Sequence, residues 1–267
     1  MKILIQLLVV LLSGLIVTAQ QPDAAEKQKR QQEMMSIIST PSKYPVKTIG
    51  VLLYNGYQTL DAMGPFETLS EMGGVKVFFI AKDKGLIRNQ SGMQVKVDTT
   101  ISQVKHLDLL VVPGGAAETF MVTQDTAILN WIREIDKGTI YTTSVCTGAW
   151  ILGAAGLLKD RKATTNWYRA EERLKYYGAT FMPQRWVKDG KYWTSAGVTA
   201  GIDMSLAIIN DLKGERFTQG IMLNLEYDPH PPVSGGGVDK SPELIVDMMR
   251  QMYDMSLMPL FRKYEKK

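Results

Sequence analysis

The chain has 267 residues, 45% of them hydrophobic and 22% charged, which is enough apolar material for one large α/β domain or two small ones. Its 31 Lys and Arg are interspersed with 27 Asp and Glu, leaving a formal charge of +4 and no basic stripe, so nucleic acid is not an expected partner. One cysteine excludes an internal disulfide, and two histidines without HExxH or CxxC spacing give no metal site; no metal or cofactor is expected.

The N-terminus reads as a targeting segment. Lys2 precedes an apolar run over 3–17, and Val17-Thr18-Ala19 places compact residues before a cleavage point. Residues 1–19 are therefore predicted to be a secretory signal peptide, giving an exported protein, periplasmic or secreted. The run is shorter than the about 20 apolar residues that span a bilayer, so no stable membrane insertion is expected after cleavage. Residues 20–45 form a polar linker rich in Gln, Lys and Glu, with a transient helix over 26–38.

From 46 the pattern changes to alternating strands and helices. Residues 47–54 (KTIGVLLY), 75–81 (VKVFFIA), 106–112 (HLDLLVV) and 139–145 (TIYTTSV) are apolar or β-branched runs without inside/outside alternation. Helices are predicted over 59–72, 118–135, after Thr147, over 168–177 and over 202–212, with hairpins over 82–97 and 181–193. Strands of this kind belong to a mostly parallel sheet covered by helices on both faces, a three-layer α/β sandwich. A Pro/Gly loop follows from 233, and a last helix over 242–264 carries Leu244, Ile245, Met248, Met249, Met252 and Met255. Methionine at helical spacing is assigned to core packing or subunit contact.

Cys146 ends the run 139–145, and Thr147-Gly148 opens the next helix. A strand-to-helix turn of this kind, a nucleophile elbow, lifts a side chain into the cleft at the sheet's carboxyl edge. The helix N-terminus there favours a thiolate; the alternative is a small buried hydrophobe. Two further loops reach the same edge. One carries Pro113-Gly114-Gly115, whose N–H groups can join that of Thr147 in an anion hole or can simply make a tight turn. The other carries Asp61 within LDAMGPFE, with Glu67 six residues on; Asp61 either caps its helix or acts as an acid beside the sulfur. His106 starts its strand and lies about 20 Å from that edge at about 3.3 Å per residue. His230 sits in a DPHPP turn, so a Cys–His dyad is not expected.

With these residues in hand, the chain resembles the ThiJ/PfpI superfamily, whose fold is flavodoxin-like, and within it the isonitrile hydratase branch. The resemblance is carried by YNGYQTLDAMGPFETL at 54–69, LLVVPGG at 109–115 and SVCTGAWILGAAGLLKDRKATTNW at 144–167. SAGVTAGIDMSLAII at 195–209 and LNLEYDPHPP at 223–232 complete it, so the likeness spans the domain 46–232 and leaves 233–267 as an extension. It implies a homodimer with a nucleophile at Cys146, a neighbouring Thr147 and an acid at Asp61, and water added to an isocyanide to give an N-substituted formamide without metal or cofactor. Many relatives carry His where this chain has Asn166; Asn166 and Trp167 are placed in the substrate pocket. The signal peptide and the Met-rich extension depart from the branch. An oxidant-sensing cysteine and a non-catalytic ligand-binding module are the alternative functions.

Overall fold

The structure is a computed structural model that describes residues 23–265. The predicted signal peptide lies outside the described residues. The chain divides into two units, 1–40 and 41–267. In the first, α1 (Ala24–Ile38) is regular and buries none of its side chains.

The second unit is built on a seven-stranded sheet. Its strands are β1 (Thr48–Leu52), β2 (Lys76–Ala81), β5 (Thr99–Thr100), β6 (Leu109–Val112), β7 (Tyr141–Val145), β10 (Trp186–Asp189) and β11 (Tyr192–Ser195). They lie in the order β10-β11-β7-β6-β1-β2-β5. Every pairing is parallel except β10 with β11. β6 and β7 are buried along their whole length, as strands covered on both faces must be. Two small pairs lie outside this sheet: β3 (Leu86–Arg88) with β4 (Gln94–Lys96), and β8 (Lys162–Ala163) with β9 (Thr180–Phe181).

One helical layer contains α2 (Thr59–Ser70), packed on α7 (Ala200–Lys213), which is followed by α8 (Glu215–Asn224). The other contains α3 (Ala117–Val122), α4 (Thr126–Asp136), α5 (Gly148–Ala154) and α6 (Ala170–Tyr176). The last helix, α9 (Glu243–Tyr264), packs on α3 in this second layer. The predicted three-layer, flavodoxin-like sandwich is therefore what the chain forms. From β1 the chain goes outward to β2 and then crosses back to β6 on the other side. The switch point, where such sheets open a crevice, thus lies at the carboxyl ends of β1 and β6, next to β7.

Two local differences from the sequence reading have clear causes. The single helix predicted over 118–135 is two helices, because the Asp125 carboxylate accepts the N–H groups of Ala127 and Ile128 at 3.0 and 3.3 Å and starts α4 afresh. The helix α8, absent from the sequence reading, follows α7 directly because Gly214, at φ 81°, turns the chain between them.

Candidate functional site

Cys146 stands where β7 stops and α5 has not begun. Its N–H still pairs across the sheet with Ser195 O at 3.0 Å, so the strand holds it until the last residue. Its φ is 58°, a left-handed conformation that costs a non-glycine residue about 1–3 kcal/mol and turns its side chain out of the strand's alternation. Thr165 Oγ1 donates to the Cys146 carbonyl at 2.9 Å and steadies the turn from the far side. The residue is only 4% exposed, so its sulfur is almost wholly covered by the surrounding loops.

Asp61 lies on the first turn of α2 with no exposed surface. It does not cap that helix. Its Oδ2 accepts the N–H of Gly114 at 3.1 Å, from the loop after β6, and no side chain caps the α2 N-terminus. Its charge acts directly on Cys146, and its Oδ1 is buried without a partner. Glu67, its neighbour on the same helix, is exposed and turned away.

The Pro113–Gly115 loop brings the two together. A Cβ at Gly114 would lie 2.6 Å from Thr147 N and Oγ1 and 2.9 Å from Asp61 Oδ2, so only glycine lets the loop pass between acid and elbow. Tyr54 Oη fixes the loop from below, donating to Pro113 O at 2.9 Å and pairing with Thr119 Oγ1 at 2.8 Å. The anion-hole expectation changes here. The Gly114 N–H is taken by Asp61, and the Gly115 N–H goes to Thr147 Oγ1 at 2.9 Å, which donates back to Gly115 O at 2.8 Å. These glycines and the Thr147 hydroxyl lock the site together. The donor that faces sulfur is instead Asn166 Nδ2, 3.5 Å from Sγ. Trp167, the other predicted pocket residue, is half-buried beside Asn166.

The electrostatics also differ from expectation. Burial and the Asp61 charge push the Cys146 thiol well above its ordinary value; the hydrogen bond from Asn166 opposes them without prevailing. Burial raises Asp61 to about 7 against the bond from Gly114. With both groups pushed up, the doubly ionised pair is disfavoured near neutral pH, so at least one proton stays on Asp61 and Cys146. The helix-driven thiolate of the sequence reading gives way to a retained proton. Such a pair can add sulfur to a carbon and move the proton in the same event.

Neither histidine joins the site. His106 is exposed beside Asp108 at the opposite, amino edge of the sheet, and His230 is exposed beside Asp228. Among the described residues no cluster of His, Cys, Asp or Glu is arranged to hold a metal ion. Two contributors were missed by the sequence reading. Gly197, at φ 96°, passes so close that a Cβ would lie 2.5–2.9 Å from the Cβ, Cα and Sγ of Cys146. Tyr253, on α9, stacks on Tyr168 and meets Trp167, the neighbour of Asn166, edge-on. The first was visible only as one glycine in a glycine-bearing loop, the second only as one residue of a Met-rich helix.

Comparison with known proteins bears on the family and the fold. Residues 47–211 match the model of the DJ-1/PfpI family. The chain is 39% identical to the isonitrile hydratase of Pseudomonas putida over 209 residues, 78% of this chain and 91% of that one. It is 30% identical to the deglycase PfpI of Pyrococcus furiosus over 144 residues, 53% of this chain and 84% of that one. The crystal structure of a ThiJ/PfpI family protein from Pseudomonas syringae superposes with a TM-score of 0.78 at 28% identity, covering 90% of this chain and 96% of that one. A sheet with Cys146 at its elbow, a family match that runs from β1 through α7, and a relative alike over most of both chains lead to one assignment: this chain belongs to the DJ-1/PfpI (ThiJ/PfpI) family.

Proposed function

We propose that the protein is a cysteine-dependent hydratase that converts a small uncharged isocyanide, R–N≡C, into the N-substituted formamide. The observation that carries this reading is the buried Asp61 carboxyl beside Cys146, with one oxygen unpartnered and no histidine in reach. The sulfur of Cys146 bonds to the terminal carbon, and a proton of the pair passes through Asp61 to the same carbon. The product is a thioimidate, R–N=CH–S–Cys146, with no leaving group. Water then adds to that carbon, nitrogen takes a proton, and the C–S bond breaks. The formamide R–NH–CHO and the thiol are released, so the sum is one isocyanide and one water.

Two features support an uncharged substrate. The principal groups acting on Cys146 are Asp61, Thr147 and Asn166, none of them a cation to hold an anionic substrate. The pair's own negative charge repels such a substrate. The P. putida relative is named for this reaction and supports the same choice. An oxidant-sensing cysteine calls for an exposed thiol with a lowered pKa, whereas Cys146 is covered and pushed up.

The test is turnover of cyclohexyl isocyanide followed by mass spectrometry. Formamide is expected from the wild type and not from Cys146→Ala. A wild type that forms no formamide, or turnover that survives Cys146→Ala, overturns the reading.

A further inference from the structure

The last helix, α9, lies outside the residues 47–211 that match the family model. Val246, Leu257 and Phe261 are buried on its inner side. On its outer side Leu244, Ile245, Met248, Met252 and Met255 are 45–78% exposed. From Ile245 onward these residues alternate steps of three and four, and Pro259, also exposed, continues the series. Such steps keep side chains on one stripe of a helix, the pattern by which one helix packs against another. Leu244, Met252 and Met255 keep about half or more of their surface uncovered by the described residues.

The charges at the two ends of the stripe select its partner. Glu243 opens the helix, Arg262 and Lys263 close it, and all three are exposed. Among the described residues neither Glu243 nor Arg262 has an ion pair, whereas Asp247 pairs with Arg250 and Asp254 with Arg169. Arg262 and Lys263 follow Leu244 and Ile245 by about five helical turns, so they prolong the same lines of the surface. A second α9 laid antiparallel brings the acidic end of each helix beside the basic end of the other and opposes the two helix dipoles. A parallel copy sets Arg262 and Lys263 against their own kind, which repels. We propose that the outer face of α9 docks a second copy of this chain: the two helices pair antiparallel about a two-fold axis, Met252 against Met255 of the partner subunit. The contact is isologous, so each pairing occurs twice. It is additional to any contact made by the matched domain, and it stands whatever reaction runs at Cys146.

Sedimentation equilibrium of the full chain, from micromolar to submillimolar concentration, tests the surface. The wild type should reach twice the mass of Met252→Glu, whose carboxylate would be buried unpaired at the centre of the stripe. Arg262→Glu with Lys263→Glu should weaken pairing by about 10-fold or more, and adding Glu243→Lys should recover most of the loss. All these positions are exposed, and circular dichroism is expected to show the same fold in every variant. Because Cys146 is covered, a single cysteine introduced on α9 reports the direction. In the antiparallel pair the two Met252→Cys sites meet near the axis, while the two Leu244→Cys sites stand about 28 Å apart along it at about 1.5 Å per residue. Mild oxidation should therefore cross-link the first variant and not the second. A wild type with the mass of Met252→Glu at every concentration overturns the surface. Cross-linking of Leu244→Cys as readily as Met252→Cys, or no recovery with Glu243→Lys, overturns the antiparallel arrangement. Flotation with phosphatidylcholine–phosphatidylglycerol vesicles that Met252→Glu abolishes, without any doubling of mass, assigns the face to lipid and overturns the proposal.

Discussion

Asp61 carries a carboxyl group whose folded state prefers it protonated. Its value is about 7 in the fold against an ordinary 3.8. Above pH 7 the group is ionised in folded and unfolded chains alike, and the fold bears the whole penalty of burying the charge. As pH falls through 7 the folded group takes up its proton and the penalty shrinks; below about 4 both states are protonated and it vanishes. Asp61→Asn is therefore expected to stabilise the protein at pH 8 by about 1–3 kcal/mol and to do little at pH 4. In the same variant kcat should fall about 10²- to 10⁴-fold, the usual loss of a general acid–base group. Thermal unfolding at the two pH values, beside a formamide assay, checks both; destabilisation at pH 8 would mean that Asp61 is structural. Gly197→Ala should lose most activity, because its Cβ would strike Cys146 at a position already in the left-handed region. Turnover near wild type would refute that contact. Cys146 was legible because a β-branched run ends on it. Asp61 was legible as a candidate, but only Gly114, 53 residues away, decides between cap and acid. Gly197 and Tyr253 were not legible as site residues, since their roles come from close approach across the fold.

Among the elements, α9 departs most from its sequence reading, which left it between core and subunit contact. One face packs within its own chain: Leu257 and Phe261 complete a second apolar cluster with Phe120, Trp150 and Tyr168. The guanidinium of Arg173, 2% exposed, lies 4.1 Å from the Phe261 ring centre and pairs with Glu265 at 2.8 Å. Leu244, Met248, Met252 and Met255 stay exposed on the other side. The Met count could not separate these faces, because Leu257 and Phe261, the residues of the helix buried in that cluster, are not methionines. Phe261→Ala should cost about 3–5 kcal/mol in urea unfolding, as large-to-small core changes do, and a loss under 1 kcal/mol would contradict the packing. The predicted helix 118–135 shows the same limit: its apolar period runs on through Asp125, and only the capping bonds reveal the break.

At the scale of the whole molecule, the parallel sheet was legible because four apolar runs lacked alternation and helices stood between them. Strand order was not, since the crossing from β2 to β6 leaves no mark in composition. That crossing sets the chemistry: it brings the loops after β1, β6 and β7 to one edge and leaves His106 at the other. The central claim is that Cys146 bonds to the whole substrate with the help of Asp61. It is tested most directly by rapid acid quench of the protein with cyclohexyl isocyanide, followed by intact mass and peptide mapping. The account expects a transient gain equal to the full mass of the substrate, because addition expels nothing, located on Cys146 and absent from Asp61→Asn. Formamide appearing at the enzyme's turnover rate with no adduct on Cys146 at any quench time would contradict it.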